Sequence, residues 1–133
     1  MAAGGNTLAI TGIETVNGGT GDDGITLTGA VTSLVLDGGA GNDSLTTNAA
    51  GATLTVVNVE TVTGGAGTEL VTLSAQVTGA EWDLGGGGDK VVLANATNTL
   101  TLANVETVTG GTGVDTVIFS ATANATVSAV ESI

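Results

Sequence analysis

The sequence predicts an all-β fold, a right-handed parallel β-solenoid (β-roll-like) of about five coils, and three observations support this. Short aliphatic segments alternate with polar residues along the chain, a glycine-rich nonapeptide pattern recurs, and long segments repeat at one fixed offset. The chain has 133 residues, 23 of them Gly, and no Pro. Because this length suits one domain, we expect residues 1–133 to form a single solenoid domain.

The repeat unit is 46 residues long. Residues 58–74 (NVETVTGGAGTELVTLS) align without gaps with residues 104–120 (NVETVTGGTGVDTVIFS), and the same offset pairs Asp37 with Asp83. Each unit divides at its glycine turns into a short part and a long part. One coil is predicted for each of five parts, at about 18–37, 38–63, 64–83, 84–109 and 110–133.

Strands are predicted after each glycine turn, where aliphatic and polar residues alternate as in a half-buried strand. The pairs Ile25/Leu27 and Val71/Leu73 show this alternation. Trp82 takes the place of Leu36 in the repeat, so we expect it in the core or as a plug at the end of its strand. Further strands are predicted at Leu8–Ile10, Ile13–Val16, Val31–Leu36, Thr53–Val57, Val59–Val62, Val77–Trp82, Thr99–Ala103 and Val105–Val108.

The glycine turns share one pattern: two glycines, a third two places on, an acid two further, and then an aliphatic residue. It is complete at residues 18–26 (GGTGDDGIT), 38–46 (GGAGNDSLT) and 110–118 (GGTGVDTVI). Glycine at three fixed places indicates positive φ angles or a close approach of two backbones. The pattern therefore predicts that these turns stack tightly on one another.

The other two turns depart from the pattern. Glu69 stands at the aspartate position of the third turn, and Leu84 replaces the first glycine of the fourth. The 46-residue offset assigns the acid position of the fourth turn to Asp89, which leaves Lys90 as an outward neighbour. We expect Lys90 to screen the nearby carboxylates.

Stacking the turns in register predicts a single file of acids along one edge of the solenoid. Carboxylates about 4.8 Å apart repel by roughly 3.5 kcal/mol per neighbouring pair at an effective dielectric near 20. The chain has thirteen acids, one cation, and neither His nor Cys, which favours a hard cation with oxygen ligands, as calcium prefers. The candidate calcium ligands are Gly19, Gly21, Asp23, Gly39, Gly41, Asp43, Gly65, Gly67, Glu69, Gly85, Gly87, Asp89, Gly111, Gly113 and Asp115.

Other acids carry weaker expectations. For Asp22, Asn42, Asp37 and Asp83, a solvated turn position and a secondary ligand role are equally open. The Glu residues of the recurring V/I-E-T motif are expected on every second coil, about 9.6 Å apart, on a solvated face. These residues are Glu14, Glu60 and Glu106.

Composition excludes several functions. A net charge of −12 argues against nucleic acid and anionic membranes as partners, and no transmembrane segment is visible, so we expect no membrane insertion. Without His, Cys or Tyr the chain offers no nucleophile–base pair, so we do not expect an enzyme. No leader is visible, from which we expect either a piece of a longer protein or an unconventional export route.

The nonapeptide GGxGxDxUx, with U aliphatic, resembles the RTX or haemolysin-type calcium-binding repeat. The resemblance rests on residues 18–26, 38–46 and 110–118, with near-matches in the other two turns. It implies a calcium-bound parallel β-roll in a protein exported by type I secretion to the cell surface or the extracellular medium. The simplest β-rolls of the family carry the motif on both edges, whereas here we expect one edge. The V-E-T-V segments look more like the repeats of S-layer proteins and large surface adhesins.

We therefore expect a calcium-dependent structural module of a secreted bacterial surface protein, such as an S-layer, filament or adhesin. Its uncapped ends would let copies stack end to end into a homo-oligomer or filament. One alternative is an ice- or glycan-binding solenoid, with Thr15, Thr61 and Thr107 in one row and Thr63 and Thr109 in another. Another alternative is a non-catalytic calcium-binding module of a secreted enzyme.

Overall fold

A computed structural model describes residues 4–120 and 124–133, and in these residues the chain forms short β-strands and no helix. Thr and Val fill the strands, and Gly, Asn and Asp fill the turns between them, in keeping with their backbone preferences. The strands are β1 Thr7–Ile10, β2 Thr15–Asn17, β3 Gly24–Leu27, β4 Val31–Asp37, β5 Ser44–Thr46, β6 Ala52–Val57, β7 Thr61–Thr63, β8 Glu69–Leu73, β9 Thr78–Asp83, β10 Lys90–Val92, β11 Thr99–Ala103, β12 Thr107–Thr109, β13 Thr116–Phe119 and β14 Thr126–Ser128.

Successive strands alternate between two parallel sheets. The odd-numbered strands form the first sheet in the order β1-β3-β5-β7-β9-β11-β13, and the even-numbered strands form the second in the order β14-β12-β10-β8-β6-β4-β2. The chain thus winds six full turns from β1 to β13 and continues through β14. This confirms the predicted parallel β-solenoid, with about six turns in place of the five expected.

The turn count differs because a long part of the repeat is more than one coil. Residues 38–63 contain three strands, β5 to β7, and residues 84–109 contain β10 to β12, whereas each short part contains two. A 46-residue repeat therefore has five strands, an odd number. As a result β3 lies in the first sheet while β8, its equivalent one repeat later, lies in the second.

The third strand of each long part begins two residues later than expected, as β7 and β12. Asn58 and Asn104 just before them have positive φ angles of 52° and 53°, in the left-handed region that Asn tolerates best after Gly. Their side-chain amides donate to Oδ1 of Asp37 at 2.9 Å and of Asp83 at 2.6 Å. Asp37 and Asp83 thus fix the Asn turn of the next coil.

The core is built from inward-facing apolar residues of both sheets, nearly all of them aliphatic, and most strands contribute more than one. Trp82 is 2% exposed and donates from Nε1 to the Val59 carbonyl oxygen at 3.3 Å, which confirms its predicted place in the core. One inward column of the first sheet consists of Ile25, Leu45, Val62, Trp82 and Leu102, and one of the second consists of Leu54, Val71, Val91 and Val108.

The two sheets meet at two edges. We call edge A the side where the chain passes from the second sheet to the first, and edge B the side where it passes from the first to the second. The glycine turns at 18–23, 38–43 and 110–115 lie on edge A, and those at 64–69 and 84–89 lie on edge B. The prediction of glycine turns on one edge is therefore wrong, because five strands per repeat move the next repeat to the opposite side.

Candidate metal centre

The five turn acids are buried where their strands begin, each at most 1% exposed. They do not form the single file that was predicted. Asp23 and Asp43 stack on edge A, Glu69 and Asp89 stack on edge B, and Asp115 lies on edge A four turns from Asp43. The structure therefore presents two acid pairs and one separate acid.

Within each pair, one carboxylate oxygen binds the neighbouring turn. Oδ1 of Asp43 accepts a hydrogen bond from the backbone N–H of Asp23, and Oδ1 of Asp89 accepts one from the N–H of Glu69, both at 2.7 Å. Hydrogen bonds to a carboxylate are shorter and stronger than those between neutral groups. These bonds connect one coil to the next at the point where the strands start.

Two of the acids on edge A, Asp23 and Asp115, accept hydrogen bonds from an asparagine of the preceding coil. Asn6 donates to Oδ1 of Asp23 from its backbone N–H at 2.7 Å and from its side-chain amide at 2.8 Å. Asn98 makes the same two bonds to Oδ1 of Asp115, at 3.1 and 2.7 Å. The two pairs are two repeats apart in sequence, and two repeats of five strands return the chain to the same edge.

Three glutamates complete these hydrogen-bonded series, and two of them, Glu60 and Glu106, are ones that the sequence predicts on a solvated face. Each accepts, through Oε2, the backbone N–H of the last turn acid before it. Each of the three glutamates lies directly before a Thr or Ser, just as the turn acids lie directly before their own strands. This shared position is the sequence signal that could have identified them. The bonds are Asp43 to Glu60 at 2.8 Å, Asp89 to Glu106 at 2.6 Å and Asp115 to Glu131 at 2.7 Å.

The predicted solvated face of glutamates is not formed. Glu60 lies on edge A, whereas Glu14 and Glu106 lie on edge B, since 46 residues carry the chain to the opposite edge. Glu14 is exposed, and Glu60 is only partly so. The three residues therefore share a sequence motif but not a surface.

The second carboxylate oxygens distinguish the paired acids from Asp115. Oδ2 of Asp115 accepts a hydrogen bond from the backbone N–H of Gly111 at 3.1 Å. Within residues 4–120 and 124–133, four other carboxylate oxygens are fully buried with no hydrogen-bond partner. They are Oδ2 of Asp23, Oδ2 of Asp43, Oε2 of Glu69 and Oδ2 of Asp89.

On edge A the free oxygens lie against the first glycine of their own turn. A Cβ built on Gly38 would overlap the Asn58 carbonyl oxygen and lie 2.6 Å from Oδ2 of Asp43. A Cβ on Gly18 would likewise overlap the Gly38 carbonyl oxygen and lie 2.6 Å from Oδ2 of Asp23. Each free oxygen is thus close to a backbone carbonyl of the next coil, in space that a side chain would fill.

The predicted glycines are required by the stacking of the turns. Gly39 and Gly41 have φ angles of 99° and 142°, and a Cβ on Gly39 would overlap the Gly19 carbonyl oxygen. A Cβ on Gly41 would lie 2.6 Å from the Gly21 carbonyl. The same close backbone approach occurs at Gly65, Gly67, Gly85, Gly87, Gly111 and Gly113.

Burial makes three of the paired carboxylates, those of Asp43, Glu69 and Asp89, harder to ionise. It raises the pKa of Glu69 to about 7, and the charge of Asp89 adds to this, against a hydrogen bond from the Thr47 hydroxyl at 3.1 Å. Burial also raises the pKa of Asp89 and of Asp43. Neither pair is well suited to hold two bare negative charges without a compensating cation or proton.

Three residues beside the turn acids, Leu84, Lys90 and Asp22, differ in burial and contacts. Leu84, in place of a first glycine, is fully buried on edge B. Lys90 is exposed on the outer face of β10, as the repeat offset predicted. Oδ1 of Asp22 accepts the backbone N–H of Asn42 at 2.8 Å, so this exposed pair also connects adjacent turns.

The predicted threonine rows are not formed. Thr15 and Thr107 lie in the second sheet and Thr61 in the first, and Thr63 and Thr109 are likewise on different sheets. These rows were the observation behind an ice- or glycan-binding surface, and the strand order removes it.

The described residues contain no cluster of three or more His, Cys, Asp or Glu side chains able to hold a metal ion. Each candidate site therefore offers two carboxylates, with any further ligands coming from backbone or hydroxyl oxygens. In the same part of the chain, no helix is long and apolar enough to cross a membrane. No family model, no curated protein and no solved structure matches this chain.

Proposed function

We propose that this chain is a calcium-dependent structural module of a secreted bacterial surface protein, without catalytic activity. The observation that supports the proposal is the set of four buried carboxylate oxygens that lack a hydrogen-bond partner. Buried polar groups in folded proteins are almost always hydrogen-bonded or bound to an ion, because burying them alone is costly. A cation between the paired acids removes that cost.

The available donors suit calcium. Asp23 with Asp43, and Glu69 with Asp89, would each supply two carboxylates about one strand spacing apart. On edge A the carbonyl oxygens beside Gly18 and Gly38 add neutral oxygen donors. Calcium accepts such all-oxygen, irregular ligand sets, whereas magnesium requires a near-octahedral site and retains its water. A bound calcium ion would supply the positive charge that both pairs lack.

Binding would be coupled to folding. The acids of each pair lie on different coils, so a site exists only when the coils are stacked. The free energy of metal binding then becomes free energy of folding. Calcium sites of extracellular modules have Kd values around 10⁻⁴–10⁻³ M, so such a chain is only marginally stable at cytosolic calcium and becomes stable outside the cell. The net charge of −12 and the resemblance to RTX repeats support export.

The same solenoid would assemble end to end. Within the described residues, β1 and β2 at one end and β14 at the other are each paired on one side only, and β13 carries only a single bridge, from Thr116 to Ser132, on its outer side. Such free edges accept a further strand. Large apolar side chains are exposed near both ends, with Leu8 36% exposed at the first and Ile118 52% and Ile133 76% exposed at the second. We propose that a second copy of the chain covers these ends.

Circular dichroism and light scattering on chelator-treated protein test this function. Calcium should raise the temperature at which the strand signal is lost, an equal concentration of magnesium should not, and scattering should rise if copies then stack. Chelated protein that is already folded and does not respond to calcium would rule out a calcium-dependent module. Calcium-dependent folding without increased scattering would rule out assembly alone.

A further inference from the structure

We infer that the chain binds two divalent cations, one on each edge of the solenoid, and that the turn at Asp115 binds none. This inference rests on the proposed function and specifies its stoichiometry and sites. It runs against the sequence, in which residues 110–118 match the nonapeptide completely while the edge B turns carry two departures from it.

The first step is the stacking of the turns. A cation between coils needs two acid-bearing turns directly on top of each other. Because the repeat has five strands, turns 18–23 and 38–43 are stacked on edge A, and turns 64–69 and 84–89 are stacked on edge B. The turn at 110–115 stacks on one side on residues 93–98, which contain neither glycine nor an acid. On its other side it stacks on residues 129–132, where Glu131 is exposed and its Oε2 accepts the Asp115 N–H.

The second step is the state of the carboxylate oxygens. In each stacked pair, both acids keep one buried oxygen without a hydrogen bond. Two such oxygens on adjacent coils require a positive charge between them, and no described side chain supplies it. This requirement is the same on the two edges, although Glu69 is longer than Asp and Leu84 replaces a glycine.

The third step is that Asp115 has no carboxylate oxygen that lacks a hydrogen bond. Its Oδ1 accepts two hydrogen bonds from Asn98, and its Oδ2 accepts one from the Gly111 N–H. The neighbouring turn is fixed independently, by a bond at 3.1 Å from the Thr112 N–H to Oδ1 of Asn95. Amide groups thus do at Asp115 what we assign to a cation at the paired acids.

Equilibrium dialysis against saturating calcium in moderate salt, with the ions per chain measured by elemental analysis, tests this inference. Wild type should bind two ions per chain. Asp43→Asn and Asp89→Asn should each bind one, and the double variant none, since Asn still accepts the neighbouring N–H but carries no charge. Asp115→Asn should still bind two.

Glu81→Gln is the matched control, because Glu81 is an exposed acid on the outer face of β9 and its loss removes one charge without touching either pair. If a variant lacks the strand signal of the wild type, Asp23→Asn replaces it for edge A and Glu69→Gln for edge B. Loss of an ion in Asp115→Asn, or three or more ions on wild type, would overturn the inference while leaving a calcium-dependent module intact. Wild type that binds no calcium would overturn the proposed function, and this inference with it.

Discussion

Asp23 and Asp43 lie one solenoid turn apart, and the backbone N–H of Asp23 donates to Oδ1 of Asp43 at 2.7 Å while Oδ2 of each residue stays buried and free. Glu69 and Asp89 repeat this relationship on the opposite edge. Each paired acid therefore has one oxygen that holds the adjacent coil and another available to a cation. The two roles can be tested separately.

The hydrogen-bonding role is tested at Glu60, which is not one of the four residues with a free carboxylate oxygen. Glu60→Ala leaves the buried Asp43 N–H without an acceptor, so we expect a loss of about 1–2 kcal/mol in the free energy of unfolding. Urea unfolding in chelator measures it.

Glu14→Ala is the matched control for this variant, because Glu14 occupies the equivalent position of its repeat but is exposed. It should change stability by no more than about 0.5 kcal/mol. Glu60→Gln, which keeps the acceptor, should recover most of the loss. Equal losses in the two alanine variants would contradict the assigned hydrogen bond.

The close approach of the turns predicts that alanine substitution has very different effects on stability at two glycines. A Cβ on Gly38 would overlap the Asn58 carbonyl oxygen, so Gly38→Ala should cost more than about 2 kcal/mol of unfolding free energy. A Cβ on Gly24 would meet nothing nearer than 3.6 Å, so Gly24→Ala should be neutral or stabilise by about 0.5 kcal/mol. Thermal unfolding of both variants measures the difference, and comparable stability would refute the stacking of the turns.

Stability without calcium should fall as pH rises through neutrality. The pKa of Glu69 is about 7 in the folded chain against 4.5 in an unfolded one, so folding favours the protonated acid. Its contribution is fully present below pH 4.5 and is lost as pH rises through about 7. The midpoint temperature in chelator should therefore decrease between pH 5 and pH 7.5.

The control for this pH dependence is Glu69→Gln, which cannot ionise. It should flatten the decrease in midpoint temperature, whereas Glu81→Gln, at an exposed position, should leave it close to wild type. A midpoint that rises from pH 5 to pH 7.5 in chelator would contradict the raised pKa of Glu69.

The sequence predicted the fold class because its determinants are local. The period-2 alternation around Ile25 and Val71 marks inward-facing strand positions, and both residues are at most 1% exposed. The register that assigned Asp89 rather than Lys90 to the turn was also correct, since Asp89 is buried and Lys90 exposed.

The arrangement of the site was predicted wrongly because the repeat has an odd number of strands. The sequence predicts the additional strand Val59–Val62, but the predicted arrangement assigns the long part to a single coil. A third strand makes it one and a half coils, which moves Glu69 to the opposite edge from Asp43. Glu60 was missed for the same reason, because a single-edge arrangement places it far from Asp43.

The most direct test of the central claim is the thermal unfolding of chelator-treated protein, followed by the fluorescence of the buried Trp82, with and without about 10 mM calcium. At Kd values of 10⁻⁴–10⁻³ M, calcium should add roughly 1.5–3 kcal/mol per site and raise the midpoint by about 10 °C or more. Magnesium at the same concentration should not do so, and Asp43→Asn/Asp89→Asn should not respond to calcium. An unchanged wild-type midpoint, or a double variant that still responds fully, would contradict the assignment of the paired acids as calcium ligands.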